Sequence, residues 1–259
     1  MKIDLHEIVS CVEEACADLL NIKKEIFCVS IKQDGTECTS ADIHVSNKIS
    51  HFLRFKFPDN PVVSEENTVS LDLTLLQKKN FWMLDPLDGT KAFIENKKHY
   101  SINLAFIENG VPKIGIIAFP ESGLVYFTDG ESVFKKNKMR VSKINKTNTN
   151  LSIVNVVISQ RSDPIFISNI LKNIKVNKVQ KISGAEKFCL MAEGVYDVFP
   201  RNKDTCEWDV AAGHAIVRAL GGGVVNESFQ ELQYLKKGFR NSFLLTVRDR
   251  RYLELFRRS

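Results

Sequence analysis

The sequence has no long apolar run, no paired-cysteine motif, no internal repeat and no low-complexity segment, and each absence removes a class of protein. No stretch approaches the ~20 consecutive apolar residues that a membrane-spanning helix needs. The opening MKIDLHEIVSCVEEACADLL carries Asp4, Glu7, Glu13 and Glu14 where a signal peptide would be apolar, so a cytoplasmic protein is expected. Cys11, Cys16, Cys28, Cys38, Cys189 and Cys206 form neither a Cys-x-x-Cys pair nor a cluster with histidine, which argues against a zinc site and a disulfide framework. His44, His51, His99 and His214 are scattered too and read as ordinary core or surface residues. The net charge is only +5, and much of it lies in the terminal RDRRYLELFRRS. With no base-stacking or groove-reading element beside it, that segment reads as a solvated helix face and not as a nucleic-acid surface. The mild positive bias suits the approach of an anionic substrate.

What is there is a globular composition, 44% hydrophobic and 26% charged over 259 residues, sufficient for one domain or two closely packed halves. Leu5, Ile8, Val9, Val12, Cys16, Leu19 and Leu20 recur at three- and four-residue steps and predict an amphipathic helix. A second helix is expected through Val45, Ile49, Phe52 and Leu53, capped by Thr39 or Ser40 and ended by Pro58 to Pro61. FWML at 81–84, SINLAFI at 101–107, KIGIIAF at 113–119 and LVYFT at 124–128 predict an antiparallel meander. Lys138 to Asn150, rich in Lys, Asn and Thr, reads as a linker. After it, SIVNVVI, a helix near 164–173, VNKVQKI and a helix near 185–193 begin a second alternating unit. WDVAAGHAIVRAL at 208–220 predicts a helix that the Gly221-Gly222-Gly223 run ends. The expected organisation is a mixed α/β chain with halves 1–145 and 146–259, the first carrying most of the acidic candidates and the second Asp209.

Those acidic candidates fall at element boundaries: Asp34, the pair Glu65-Glu66, the segment Asp85-Pro86-Leu87-Asp88-Gly89-Thr90, and Asp209. Asp85 ends an apolar strand, and a sharp turn at Pro86 and Gly89 is expected to aim Asp85 and Asp88 at one point. Hard oxygen donors with no His or Cys nearby suit magnesium, which accepts a few carboxylates and a backbone carbonyl, here that of Leu87, and keeps waters for the substrate. Gly89 and Thr90 then present backbone N–H groups at a helix start, a seat for phosphate. Trp82 and Trp208 are expected to pack beside the acidic residues.

SEEN at 64–67, DPLDGTKAFI at 85–94 and WDVAAGHA at 208–215 together resemble the inositol monophosphatase superfamily of magnesium-dependent, lithium-sensitive phosphatases. KAFI after DGT, KFCLMAEG at 187–194 and FPR at 199–201 make the resemblance closest to its CysQ-type 3′(2′),5′-bisphosphate nucleotidases. It implies a layered αβαβα fold with two mixed or antiparallel sheets and helices between and outside them. It implies two or three magnesium ions on Glu65, Asp85, the Leu87 carbonyl, Asp88 and Asp209, with Glu66 close by, and casts Asp34 and Thr90 as the pair that orients and deprotonates the attacking water. Lys187 and Arg201 match positions that contact the nucleotide or its second phosphate, whereas Asp42, at another acidic position, reads as a structural helix residue. Two departures fall in the substrate region: SGAEKF puts Gly184 where relatives carry serine, and Ser159-Gln160-Arg161-Ser162 lacks a histidine. The implied activity is hydrolysis of adenosine 3′,5′-bisphosphate, and of its sulfated precursor, by a monomer or homodimer. An inositol monophosphatase or fructose-bisphosphatase activity and a catalytically silent binding protein are the alternatives.

Overall fold

Helix α1 spans Leu5–Ile22, with the Asp4 carboxylate accepting from the His6 N–H at its start and Ile8, Val9, Val12, Ala15 and Leu19 buried on one stripe. The computed structural model describes residues 3–25, 27–32, 35, 37–70, 76 and 80–257, so Asp34 lies outside the described residues, as does Arg258. A small antiparallel pair, β1 (Val29–Ile31) and β2 (Glu37–Thr39), leads into α2 (Ser40–Lys56), whose cap is Thr39 in a reciprocal capping box with Asp42.

The main sheet has seven strands whose spatial order is their chain order: β3 (Val62–Ser64), β4 (Phe81–Asp88), β5 (Ser101–Glu108), β6 (Val111–Phe119), β7 (Leu124–Thr128), β8 (Val133–Asn137) and β9 (Arg140–Ile144). Only β3 and β4 run parallel; the rest is the predicted antiparallel meander, extended by two strands. The linker expected over 138–150 is therefore shorter. Arg140–Ile144 pairs with β8 as an edge strand, while residues 145–150 carry no helix or strand. Its exposed Arg, Ser and Lys side chains give no apolar alternation, and such charges are how an edge strand avoids pairing with another chain.

A second sheet, of five strands, follows. Its strands are β10 (Val154–Ile158), β11 (Val176–Lys181), β12 (Val198–Arg201), β14 (Gly223–Val225) and β16 (Leu244–Val247), in the order β11-β10-β12-β16-β14. Helix α3 (Thr90–Ile94) follows β4 in the first sheet; α4 (Pro164–Ile170), α5 (Glu186–Ala192) and α6 (Trp208–Ala219) connect strands of the second, α7 (Leu253–Arg257) follows β16, and a two-residue pair β13 (Thr205–Cys206) and β15 (Arg240–Asn241) stands ahead of and behind α6.

Alternation along β4 explains the layers. Trp82 and Leu84 pack with Val12, Val45 and Ile49 of α1 and α2, while Phe81 and Met83 pack with Ala212 and Ile216 of α6 and Phe188 of α5. The second sheet turns Val157, Phe199 and Val224 to that same middle core and Val156, Val198 and Leu245 outward to Ile167, Leu253 and Phe256. The stack is α1/α2, sheet, α5/α6, sheet, α4/α7. Among the described residues no helix is long and apolar enough to cross a membrane.

Candidate active site

The acidic centre is built by the carboxyl end of β4. Side chains of a regular strand alternate between faces, so Asp85 and Asp88, three residues apart, would point opposite ways. Opposite β5 the register shifts: Asp85 faces Asn103 and Asp88 faces Ser101, three steps against two. This one-residue bulge restores both carboxylates to one side. The expected sharp turn at Pro86 is thus a bulged continuation of the strand, with Pro86 tolerated at the irregularity. Gly89 then takes a left-handed conformation (φ 100°), where a Cβ would stand 2.9 Å from the His99 carbonyl, and Thr90 opens α3.

The other carboxylates arrive by register. Because Ser64 of β3 pairs with Leu84, the next residue, Glu65, comes level with Asp85. Asp209, in the first turn of α6, is aimed by the Thr205 hydroxyl (2.5 Å) and the Cys206 N–H (2.8 Å), both donating to its Oδ2. Asp85 is 1% exposed, and its Oδ1 accepts from the Leu87 N–H at 3.1 Å. Burial and the neighbouring charges of Glu65, Asp88 and Asp209 push its carboxyl well above the ordinary range. Burial pushes Glu65 up to about 7 and, with the Asp209 charge adding to it, Asp88 up to about 6.

Such a cluster wants a cation. The Lys32 ammonium supplies one, 2.7 Å from Glu65 Oε1 and 2.7 Å from Glu66 Oε1; although burial opposes its charge, the two glutamates hold it more firmly protonated than usual. Cys38 donates its thiol to Glu66 Oε2 at 3.4 Å. Among the described residues no three His, Cys, Asp or Glu side chains form a closed cage. A magnesium-type ion does not require one, since it fills much of its octahedron with water and substrate oxygens. Partly desolvated carboxylates, a nearby carbonyl and an ammonium already drawn among them fit a hard divalent ion.

Thr90 is placed beside this cluster, and its hydroxyl lies 3.1 Å from Asp42 Oδ1 and 3.2 Å from the Leu87 carbonyl. Asp42 is 2% exposed, and its other oxygen accepts from the Thr39 N–H (2.7 Å) and hydroxyl (2.6 Å). Burial raises its pKa. Reading Asp42 as a helix residue is therefore half of its role: the same carboxylate caps α2 and holds Thr90. Its place inside the predicted helix carried the structural reading; the hold on Thr90, a contact across 48 residues, left no local signal.

Two cations stand on the α5 and β12 side. Arg201 donates to the Ser159 hydroxyl (2.8 Å) and to the carbonyls of Lys203 (3.1 Å) and Asp204 (3.2 Å), all neutral acceptors, with burial lowering its pKa. Lys187 is 4% exposed, and its ammonium bonds the Ile182 carbonyl at 3.2 Å and the Gly184 carbonyl. Burial brings it down to about 8. Trp82 and Trp208 are both buried, Trp82 against Phe57 and Phe106 in the α1/α2 layer and Trp208 against Phe239.

The model of the inositol monophosphatase family matches residues 4–254. The chain belongs to that family. A 3′(2′),5′-bisphosphate nucleotidase CysQ from Buchnera aphidicola subsp. Acyrthosiphon pisum is 34% identical over 220 residues, 85% of this chain and 82% of its own length. The solved structure of CysQ from Bacteroides thetaiotaomicron superposes with a TM-score of 0.78 at 27% identity, covering 92% of this chain and 94% of that one. An IMPase/NADP phosphatase complexed with Mg2+ and phosphate shares the fold at 16% identity, with a TM-score of 0.74 and coverage of 97% and 95%. Membership and the CysQ relatives make the chain a phosphatase acting on phosphate monoesters.

Proposed function

We propose that the chain is a magnesium-dependent 3′(2′),5′-bisphosphate nucleotidase that releases the 3′-phosphate of adenosine 3′,5′-bisphosphate to give AMP and inorganic phosphate. The observation that carries the chemistry is the convergence of buried Asp85 with half-buried Glu65, Asp88 and Asp209, carboxylates whose mutual repulsion and desolvation the nearby cations do not offset. The substrate class is supported by the CysQ relatives and by Arg201, a guanidinium whose partners among the described residues are neutral oxygens and which suits a second phosphate. The sulfated precursor offers the same 3′-phosphate and is expected as a second substrate.

Glu65, Asp85, the Leu87 carbonyl, Asp88 and Asp209 would hold the magnesium, with Glu66 and Lys32 at the rim. Magnesium bound there, two or three ions as the family resemblance implies, would supply neutralisation of the phosphate, acidification of a water and stabilisation of the leaving alkoxide. The chain's own residues then position. Thr90, donating its proton to Asp42, keeps its oxygen lone pairs for a water proton, and Asp42 is the buried base to which that proton drains. This reading gives Asp42 the role that the resemblance implied for Asp34. The Gly89 and Thr90 N–H groups seat phosphate oxygens at the start of α3.

Phosphate release by the purified chain with magnesium, on adenosine 3′,5′-bisphosphate, inositol 1-phosphate and fructose 1,6-bisphosphate, tests the reading. A strong preference for the nucleotide is expected. Preference for a sugar phosphate would trace to Gly184 and the missing histidine and overturn the substrate assignment. No release from any of them would overturn the activity.

A further inference from the structure

Strand β5 carries a polar side chain into an apolar layer. Ile102, Leu104 and Phe106 turn to the core of α1 and α2, and Ala105 and Ile107 turn to the middle core of α5 and α6. By the same alternation Asn103 belongs to that second face, and it is 1% exposed. Its carbonyl Oδ1 accepts from the hydroxyl of Ser101, itself buried, at 3.0 Å. The other end of the amide is left over: Nδ2 is buried and has no hydrogen-bond acceptor among the described residues. A buried donor without an acceptor costs stability, so one that persists in a folded chain asks for an explanation.

Register says what the amide faces. Asn103 lies opposite Asp85 across the β4–β5 ladder, and residues directly opposite one another stand on one face of a sheet. The bulge between Asp85 and Asp88 brings the second carboxylate to that face as well. Ionised carboxylates only accept, which turns the NH2 end of the amide toward them and leaves its carbonyl to Ser101. Asp88 is the neighbour whose ionised form this amide favours. The Ala185 N–H and the Lys187 charge act on the same carboxylate from the α5 side, and Asp209 opposes them from α6. Asn103 is therefore the donor that the strand pair itself supplies. It carries no net charge, so a cation arriving at Asp88 does not have to displace it, and a carboxylate has lone pairs enough for both.

We propose that Asn103 is a positioning residue for Asp88: its buried amide, oriented by the Ser101 hydroxyl, is the strand-side donor that sets the Asp88 carboxylate for magnesium. The proposal rests on the reading of Asp88 as a magnesium ligand. It gives the unanswered Nδ2 a purpose and explains a polar residue in a row that otherwise packs against α5 and α6.

Asn103→Leu keeps the approximate size of the side chain and removes the amide. Magnesium binding by calorimetry on the full chain is expected to weaken by ~10–100-fold, the range for a group that orients a metal ligand. The kcat should fall by one common factor on adenosine 3′,5′-bisphosphate and on adenosine 3′-monophosphate, with KM for the two unchanged relative to each other. In an Asp88→Asn background the same substitution should leave magnesium affinity where Asp88→Asn alone put it, because its effect passes through that carboxylate. A purely structural asparagine would lower the melting temperature and leave the magnesium affinity of the folded chain as it was. Ser101→Ala, which keeps the amide and releases its orientation, gives the same readout if Asn103→Leu does not fold, and should weaken magnesium in the same direction by a smaller factor. Unchanged magnesium affinity in these variants, a loss that adds in full to that of Asp88→Asn, or a KM increase confined to the bisphosphate would overturn the proposal. An Asp88→Asn chain that binds magnesium as well as the wild type does would instead remove the reading of Asp88, and the proposal with it.

Discussion

The molecule buries two sets of charges in opposite ways. Around Arg248, 8% exposed, the partners are complete. Its Nε and Nη2 donate to Asp197 Oδ1 at 2.9 and 2.7 Å, and its Nη1 donates to the Thr147 hydroxyl at 2.6 Å. The Tyr252 hydroxyl donates to Asp197 Oδ1 (2.9 Å), and the Asn155 N–H donates to the other oxygen (2.8 Å). The adjacent Asp249 is held far below the usual carboxylate range by hydrogen bonds from Arg251, Thr149 and Lys146. This knot pins residues 147–150 to the second sheet. At the end of β4 the same kind of carboxylate sits with Lys32 at one rim and Lys187 and Arg201 on the other side, and its pKa values are still displaced upward. A buried carboxylate with every oxygen answered holds a fold together. One left wanting a cation weakens the fold and is kept for a ligand.

The largest effect expected of that contrast is at Asp88. Asp88→Asn should lower turnover by more than about 100-fold, beyond what losing a mere supporting group costs. It should also raise the melting temperature of the metal-free protein, since it deletes a repelled charge. Near-normal activity, or a lower melting temperature, would put Asp88 in the structural class.

Arg248→Met is the mirror image. Leaving Asp197 buried without its partner should destabilise the chain by about 3–5 kcal/mol, read by denaturant unfolding, while the fraction still folded keeps its turnover per molecule. A loss of activity without a loss of stability would contradict the structural assignment.

How much of this was legible in the sequence depended on the range of the interaction. The periodicity of α1, α2 and α6 and the meander from β5 to β7 are local patterns that read correctly, and the cap expected at Thr39 or Ser40 falls on Thr39. Strand β9 did not, because an exposed edge of Arg, Ser and Lys has no alternation to read. The segment around Pro86 looked like a turn because a bulge is set by the register of the partner strand, which sequence spacing does not carry. Glu65, Asp85, Asp88 and Asp209 were legible as oxygen donors at element ends. The hold of Asp42 on Thr90 and the bridge from Lys32 to Glu65 and Glu66 were not, since each joins residues more than thirty positions apart.

The smallest expected effect sharpens the comparison at its rim. Lys32→Met removes the ammonium that a metal ion must compete with at Glu65, and should tighten magnesium binding by no more than about fivefold, as befits a partly exposed pair. Weaker binding in that variant would make Lys32 a helper of the loaded site instead of its stand-in.

The most direct test of the central claim is the increase in melting temperature that magnesium produces in the wild-type chain as a function of pH. Raised folded-state pKa values at Glu65 and Asp88 mean that the metal-free native state binds more protons than the unfolded chain between about pH 4 and 7, so these groups cost stability as pH rises through that window. Magnesium should therefore stabilise little at pH 5, where protons already occupy the carboxylates, and progressively more toward pH 7.5. A magnesium increment that is absent, or that is largest at pH 5, would contradict the view that these carboxylates are held uncompensated for a divalent ion.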